Sequence, residues 1–311
     1  MRIALIGQQA FGKSVLEAFL ARGTSVAAVF CAPEKPGAKP DPLRTAAEER
    51  SVKVLQLRSM KDAEATRVVK DLNVDLAVMA FVLQLVSQDF VKTPKHGTIQ
   101  YHPSLLPRYR GPSSINWPII KGDTETGLTI FRPSDGLDEG PVILQKKVAI
   151  GPDDTLGTIY FDKLFPLGVE ALLEAADLVV GGRHQEIVQR EDLATYEGWC
   201  RDPESRINWQ AHVDQVYDLI RGCNPSPGAW TTVRGQKLRI YDVVKHRTHT
   251  FGAVAGKPGE VCKIAEGAIE VATQGGRLEL RTARAEGGAK GAAGAALAAS
   301  LGLTVGAPLE S

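Results

Sequence analysis

Histidine trades protons near neutral pH without help from its surroundings, and His102 lies in the least ordinary segment of the chain, Gln100-Tyr-His-Pro-Ser-Leu-Leu-Pro-Arg-Tyr-Arg-Gly111. Pro103 and Pro107 stiffen the loop that follows it. A second segment, Ser134-Asp-Gly-Leu-Asp-Glu-Gly140, puts Asp135 and Asp138 in a glycine-punctuated loop. A carboxylate beside His102 would fix its tautomer and stabilise its charged form. Read singly, a His-Pro pair is an ordinary loop, and the acidic stretch is an ordinary turn or a weak cation site. It has neither the length nor the closing Glu of an EF-hand calcium loop. Read together at the ends of two successive strands, the segments describe an acid–base pair.

The elements that must hold these loops follow from apolar patterning. A short apolar run at 2–7 closes on glycine, an amphipathic stretch covers 12–22, and 25–30 is a second strand. Further strands are expected at 52–57, 76–79, 97–101 and 127–132, with a helix at 59–72 and a long helical pattern at 158–181. Strand–helix alternation predicts an α/β fold, a Rossmann-like parallel sheet with its active site at the C-terminal strand ends. Residues 1–182 are read as the catalytic domain and the polar stretch 183–205 as a linker. Within 206–311 a helix at about 211–222 precedes short glycine-split strands at 238–243, 259–264, 268–272 and 278–282, which predict a small, OB-like β-barrel. The Gly/Ala-rich tail has helical character at 296–301.

The bulk numbers exclude several classes. In 311 residues, 43% hydrophobic and 23% charged is ordinary for a chain with a full core, and the length suggests about two domains. A net charge of +1 gives no broad attraction to nucleic acid or acidic membrane. Arg108, Arg110, Lys146 and Lys147 are the candidates for a local basic patch. There is neither a signal-peptide pattern at the start nor an apolar run long enough to span a membrane, so a cytoplasmic location is expected. Cys31, Cys200, Cys223 and Cys262 lack metal-type spacing and are read as free thiols.

Gly7-Gln-Gln-Ala-Phe-Gly12 opens a helix after a strand, as a dinucleotide fingerprint does. Gln9 stands where the second glycine would be, and Phe30-Cys31-Ala32 supplies no acidic residue for a ribose. A structural turn is the better reading, and no NAD(P) is expected.

His102-Pro-Ser-Leu-Leu-Pro107 with Gly111, followed by Asp135-Gly-Leu-Asp138-Glu-Gly140, resembles the signature of the formyltransferase family. The resemblance extends over nearly all of the chain. Met1–Gly12, Asp41-Pro-Leu43, Ile115-Asn-Trp117, Thr195-Tyr-Glu-Gly198, Ile207-Asn-Trp209, Ile220-Arg-Gly222 and Pro227-Gly-Ala-Trp-Thr231 look most like the hydrolase domain of 10-formyltetrahydrofolate dehydrogenase. The tail, 297–309, is more like methionyl-tRNA formyltransferase.

The resemblance implies 10-formyltetrahydrofolate as formyl donor, no metal, and catalytic roles for His102 and Asp138. It also implies a folate pocket walled by Phe81, Val82, Leu83, Gln84 and Leu85 and by Asp135, Gly136 and Leu137. Most transferases of the family carry Asn two residues before the histidine. Gln100 stands there instead, one methylene longer, either as a displaced oxyanion donor or as a strand residue bonding to backbone. Water or a small amine is the expected acceptor. Initiator tRNA ranks second, on the cations Arg234, Lys237, Arg239, Lys245 and Arg247. A non-catalytic folate-binding module ranks last, because it has little need of a paired His102 and Asp138. The chain length leaves no room for an aldehyde dehydrogenase domain, so any NADP-dependent oxidation would fall to a separate partner.

Overall fold

A computed structural model of the chain describes residues 1–82, 84–250 and 254–310. The chain forms two compact units. The first comprises Met1–Gly111, Gly127–Val148 and Phe161–Tyr196; the second comprises Pro112–Thr126, Ala149–Tyr160 and Glu197 onward.

The first unit is built on strands β1 (Arg2–Gly7), β2 (Ser25–Phe30), β3 (Val54–Leu55), β4 (Leu76–Ala80), β5 (Thr98–His102), β6 (Glu125–Phe131) and β7 (Val142–Ala149). They pair in the order β3-β2-β1-β4-β5-β6-β7, so the order reverses beside β1. β1 and β4 are apolar and buried on both faces, as strands sandwiched between helices must be. Helices α1 (Gln9–Ala21), α2 (Pro42–Glu49), α3 (Ala63–Leu72), α4 (Gln88–Lys92) and α5 (Phe165–Val180) complete the unit.

On one face Phe11 of α1 meets Tyr101 of β5 at 4.6 Å and Phe165 of α5 at 5.3 Å between ring centroids. Gly168 lets α5 come this close, since a Cβ there would stand 2.7 Å from the Tyr101 ring. On the other face Ile6, Phe30, Met79, Val69 and Phe90 form a second cluster under α3 and α4. Gly7 is a packing turn, because a Cβ there would meet the Ala80 carbonyl oxygen at 2.4 Å.

The sheet is parallel only through β5. β6 runs antiparallel to it, with His102 opposite Thr129 and Gln100 opposite Phe131. Periodicity could not show this, because a strand buried on both faces has the same apolar pattern in either direction. The pattern at 158–181 also resolves into more than one helix: a π-helical turn, Ile159–Leu164, precedes α5. The Pro-rich stretch after β2 ends in α2, which Asp41 caps by accepting from the Leu43 N–H with Pro42 in the first turn.

The second unit carries α6 (Val213–Gly222) and strands β8 (Ala229–Val233), β9 (Gln236–Arg247), β10 (Val261–Ile264), β11 (Ile269–Thr273) and β12 (Gly276–Ala285). The strands form an antiparallel sheet in the order β10-β11-β12-β9-β8. Trp209, Val216, Ile220, Ile240, Val271 and Leu278 are among the residues of its single core. Helix α7 (Ala295–Leu301) matches the helical character expected in the tail. The segment after α7 then runs between the two outer strands. Gly306 N–H donates to the Val261 carbonyl at 2.8 Å and Glu310 N–H to the Thr232 carbonyl at 3.0 Å. Cys200 and Cys223, widely spaced in sequence, face each other as free thiols with 3.8 Å between sulfurs.

Candidate active site

β5 alternates its side chains, so Gln100 and His102 share one face while Tyr101 packs on the other. His102 is 6% exposed. Its Nε2 lies 2.8 Å from the Tyr109 carbonyl. A carbonyl only accepts, so Nε2 carries a hydrogen and donates it to Tyr109. Tyr109 turns its carbonyl back to the ring through a left-handed backbone, φ +58°. The 103–111 loop is pinned along its length: Leu106 N–H donates to Thr129 Oγ1 at 3.1 Å, and Tyr109 N–H to Thr195 Oγ1 at 2.8 Å. Gln145 donates to the Leu106 carbonyl at 2.7 Å.

Because β6 runs against β5, the loop after it must fold back along the sheet to reach His102. It does so with Asp138 in a left-handed conformation, φ +56°. Asp138 Oδ2 accepts from the Gly111 N–H at 2.9 Å and stands 3.5 Å from His102 Nδ1. Its Oδ1 has no donor among the described residues. The two segments singled out by residue type are thus brought together, with the second ring nitrogen facing a carboxylate. Protonation of Nδ1 would turn this contact into a buried ion pair.

Residues that pattern reading did not assign to the site surround this contact. Gln189 donates to the carbonyls of Asp138 and Gly140 at 2.8 and 2.7 Å. Arg110, a candidate for a surface basic patch by sequence, is 0% exposed and contributes to no such patch. Its guanidinium donates to Gln189, to both oxygens of Glu191 and to Tyr196. The hydrogen bond to Glu191 pushes Arg110 further above its ordinary pKa, and the same bond lowers Glu191. In sequence, Arg110 lies within the 100–111 segment and Tyr196 within the shared motif stretch at 195–198, while nothing marks Gln189 or Glu191.

The residues expected to wall a folate pocket are not all brought to one place. Phe81, Val82 and Gln84 line a recess with Ile6, Gly7, Phe30, Cys31 and Met60, at the C-terminal ends of β1, β2 and β4. Leu83 lies outside the described residues. Leu85, Asp135, Gly136 and Leu137 are not among the lining residues. Phe81, Leu85 and Leu137 are 42, 59 and 46% exposed. Burial, reinforced by the Asp41 and Glu34 carboxylates, pushes the Cys31 thiol up to about 11, so it is no nucleophile at neutral pH. Gln100 is half-buried, and its amide has no hydrogen-bond partner among the described residues.

The N-terminus of α1, where a dinucleotide fold would cradle pyrophosphate, has a different occupant: both Asp41 carboxylate oxygens accept from the Gln9 N–H at 2.9 Å. Among the described residues no group of three or more His, Cys, Asp or Glu side chains could hold a metal ion, and no helix is long and apolar enough to cross a membrane.

Comparison with known proteins adds to this geometry. Residues 1–175 match the formyl transferase family model and residues 201–299 the model of the formyl transferase C-terminal domain. The chain is 39% identical over 246 residues to mitochondrial 10-formyltetrahydrofolate dehydrogenase of Homo sapiens, covering 78% of this chain and 26% of that protein. It is 32% identical over 292 residues to methionyl-tRNA formyltransferase of Geobacter metallireducens, covering 92% of each. It thus spans about a quarter of the length of the dehydrogenases it matches. Among solved structures, HypX from Aquifex aeolicus in complex with tetrahydrofolic acid superposes with a TM-score of 0.69 at 19% identity, over 97% of this chain and 47% of that one. WlaRD, a sugar 3N-formyl transferase in the presence of dTDP and 5-N-formyl-THF, gives 0.68 at 16% identity, over 90% of this chain and 97% of that one.

Proposed function

The chain belongs to the formyl transferase family, and on that premise we propose that it releases the formyl group of 10-formyltetrahydrofolate to water or to a small amine. The observation that carries this reading is the 3.5 Å approach of His102 Nδ1 to Asp138 Oδ2 at the end of β5. A recess at the C-terminal ends of β1, β2 and β4, lined in part by the exposed apolar Phe81, supports the same reading. Support for a folate comes also from the ligands of the two solved structures, tetrahydrofolic acid and 5-N-formyl-THF.

In this mechanism water or an amine attacks the formyl carbon and gives up a proton to His102 Nδ1. Asp138 holds the imidazolium that forms, and the Gln100 amide donates to the developing oxyanion. The C–N10 bond then breaks. The proton returns from His102 to the departing nitrogen, yielding tetrahydrofolate and either formate or a formylated amine.

A second reading, formylation of methionyl-tRNA, has in its favour the 32% identity across 92% of both chains. The cations that would form its tRNA track are largely spent within the second unit. Lys237 and Arg239 pair with Asp202 at 2.7 and 2.6 Å, and Lys245 and Arg247 both pair with Asp214 at 2.8 Å. Cations paired in this way neutralise fewer phosphates. This favours the small acceptor.

The deciding experiment incubates the protein with 10-formyltetrahydrofolate alone, with candidate amines, and with initiator methionyl-tRNA, quantifying tetrahydrofolate, formate and formylated product. Formate or formyl-amine release is expected. Efficient formylation of the tRNA, with affinity falling steeply as salt rises, would replace this reading with the second. No turnover under any condition would remove both.

A further inference from the structure

Asp138 sits in a loop with no ladder or helix of its own, yet it must be held opposite His102 to within a few tenths of an ångström to act. The Gly111 N–H fixes its carboxylate. Its backbone is fixed from the other side by Gln189, which is 6% exposed and lies far along the chain.

The Gln189 amide is used completely. Nε2 donates to the Asp138 carbonyl at 2.8 Å and to the Gly140 carbonyl at 2.7 Å. Oε1 accepts from Arg110 Nη2 at 2.9 Å and Nε at 3.2 Å. A guanidinium has only donors and a carbonyl only accepts, so this orientation is forced. A flipped amide would set NH₂ against guanidinium and oxygen against two carbonyls. Arg110 is itself held by Glu191, Oε1 at 2.6 Å and Oε2 at 2.9 Å, and by Tyr196. Donation therefore runs outward from Arg110, to Glu191 and Tyr196 on one side and through Gln189 to the loop on the other.

We infer that Gln189 is a positioning residue for the reaction: its amide, oriented by Arg110, clamps the carbonyls on both sides of Glu139 and so sets Asp138 against His102. The inference rests on the reading of His102 and Asp138 as the reacting pair. It goes beyond that reading by assigning their alignment to a side chain that reaches Asp138 only through its backbone carbonyl.

Gln189→Glu separates this role from simple packing. It has the same shape and keeps an acceptor for Arg110, but it turns an oxygen toward two carbonyl oxygens. The amide hydrogen of Gly111, whose acceptor is Asp138, should exchange at least tenfold faster in this variant. Turnover of 10-formyltetrahydrofolate should fall about tenfold or more, with KM changed no more than about twofold. The ratio of variant to wild-type rate should recover as pH is lowered, because a protonated Glu donates again. Gln189→Met, which loses contacts on both sides, should be worse and show no such recovery. If Gln189→Glu does not fold, Gln189→Asn reads the same exchange and turnover with the donors withdrawn by one methylene.

Unchanged Gly111 exchange together with turnover within twofold of wild type would overturn the inference. So would a turnover loss with no pH-dependent recovery, which marks a merely structural role. Faster Gly111 exchange in a protein whose wild type releases no formyl group would uphold the clamp on the loop and instead remove the proposed function.

Discussion

Two loops of the first unit carry carboxylates and treat them in opposite ways. In the Pro-rich loop after β2, Glu34 accepts from the Asp41 N–H at 3.2 Å, Arg44 at 2.9 Å and Gln56 at 2.7 Å. Asp41 in turn accepts from the N–H groups of Gln9 and Leu43. In the loop after β6, Asp138 accepts one N–H and faces an imidazole nitrogen, with one oxygen left over. The first loop saturates its carboxylates and is architecture. The second leaves capacity unused in a buried setting, and unused capacity is where a proton or a substrate can be accommodated. Residue type alone does not distinguish the two; the count of donors around each carboxylate does.

The comparison breaks most visibly at Asp138 and His102. Asp138→Asn keeps an oxygen for Gly111 but not the charge, and His102→Ala removes the proton acceptor. Each should lower formyl release by about a hundredfold or more while the melting temperature stays within a few degrees. Turnover near the wild-type rate in either variant would mean that the under-used carboxylate is only another structural one. Asp41→Ala should do the reverse. It removes the acceptor at the first turn of α1 and the cap of α2, a loss of about 1–2 kcal/mol, while turnover stays within about twofold. A thermal melt and a turnover assay on the same sample would check both halves.

Glu34 sharpens the contrast through pH. The hydrogen bond from Gln56, aided by the Asp41 N–H and Arg44, lowers its pKa from 4.5 to about 2 in the folded protein. Below the unfolded value the unfolded chain takes up a proton that the folded one refuses. The contribution is therefore present in full above 4.5 and is lost as pH falls towards about 2. Glu34→Gln should destabilise the protein at neutral pH and flatten the decline of stability across that window. Parallel denaturation curves for variant and wild type at each pH would show that the bonds do nothing. The smallest effect is expected at Gln100, whose amide has no partner among the described residues. Gln100→Asn should shift product from formate towards formyl-amine, and Gln100→Leu should leave hydrolysis within a few-fold. An identical product ratio in both variants makes Gln100 a bystander; a hundredfold loss in Gln100→Leu makes it an oxyanion donor.

Most of the first unit was legible because its strands are short apolar runs closed by glycine or polar residues, and the helix at 211–222 carries an amphipathic stripe. The direction of β6 was not, since burial on both faces erases the difference between parallel and antiparallel pairing. β7 was missed because Gln145-Lys-Lys147 interrupts its apolar pattern. In the site, His102 and Asp138 stood out by type and motif. Gln189 and Arg110 did not, because their significance is a matter of burial and hydrogen bonding across 79 residues of chain, which no local pattern encodes. Arg110 even suggested the wrong location, since an arginine reads as surface until its partners are seen.

The segment from Gly306 to Glu310 lies between β10 and β8 and pairs with Val261 of the one and Thr232 of the other. An outer strand with a free row of N–H and C=O groups is a template for a strand from another molecule. These few residues thus cover part of each outer strand from within the chain itself. They stand in for the intermolecular strand that either edge would otherwise recruit, and fraying there would make the second unit prone to self-association while Trp209 and the core around it stayed folded.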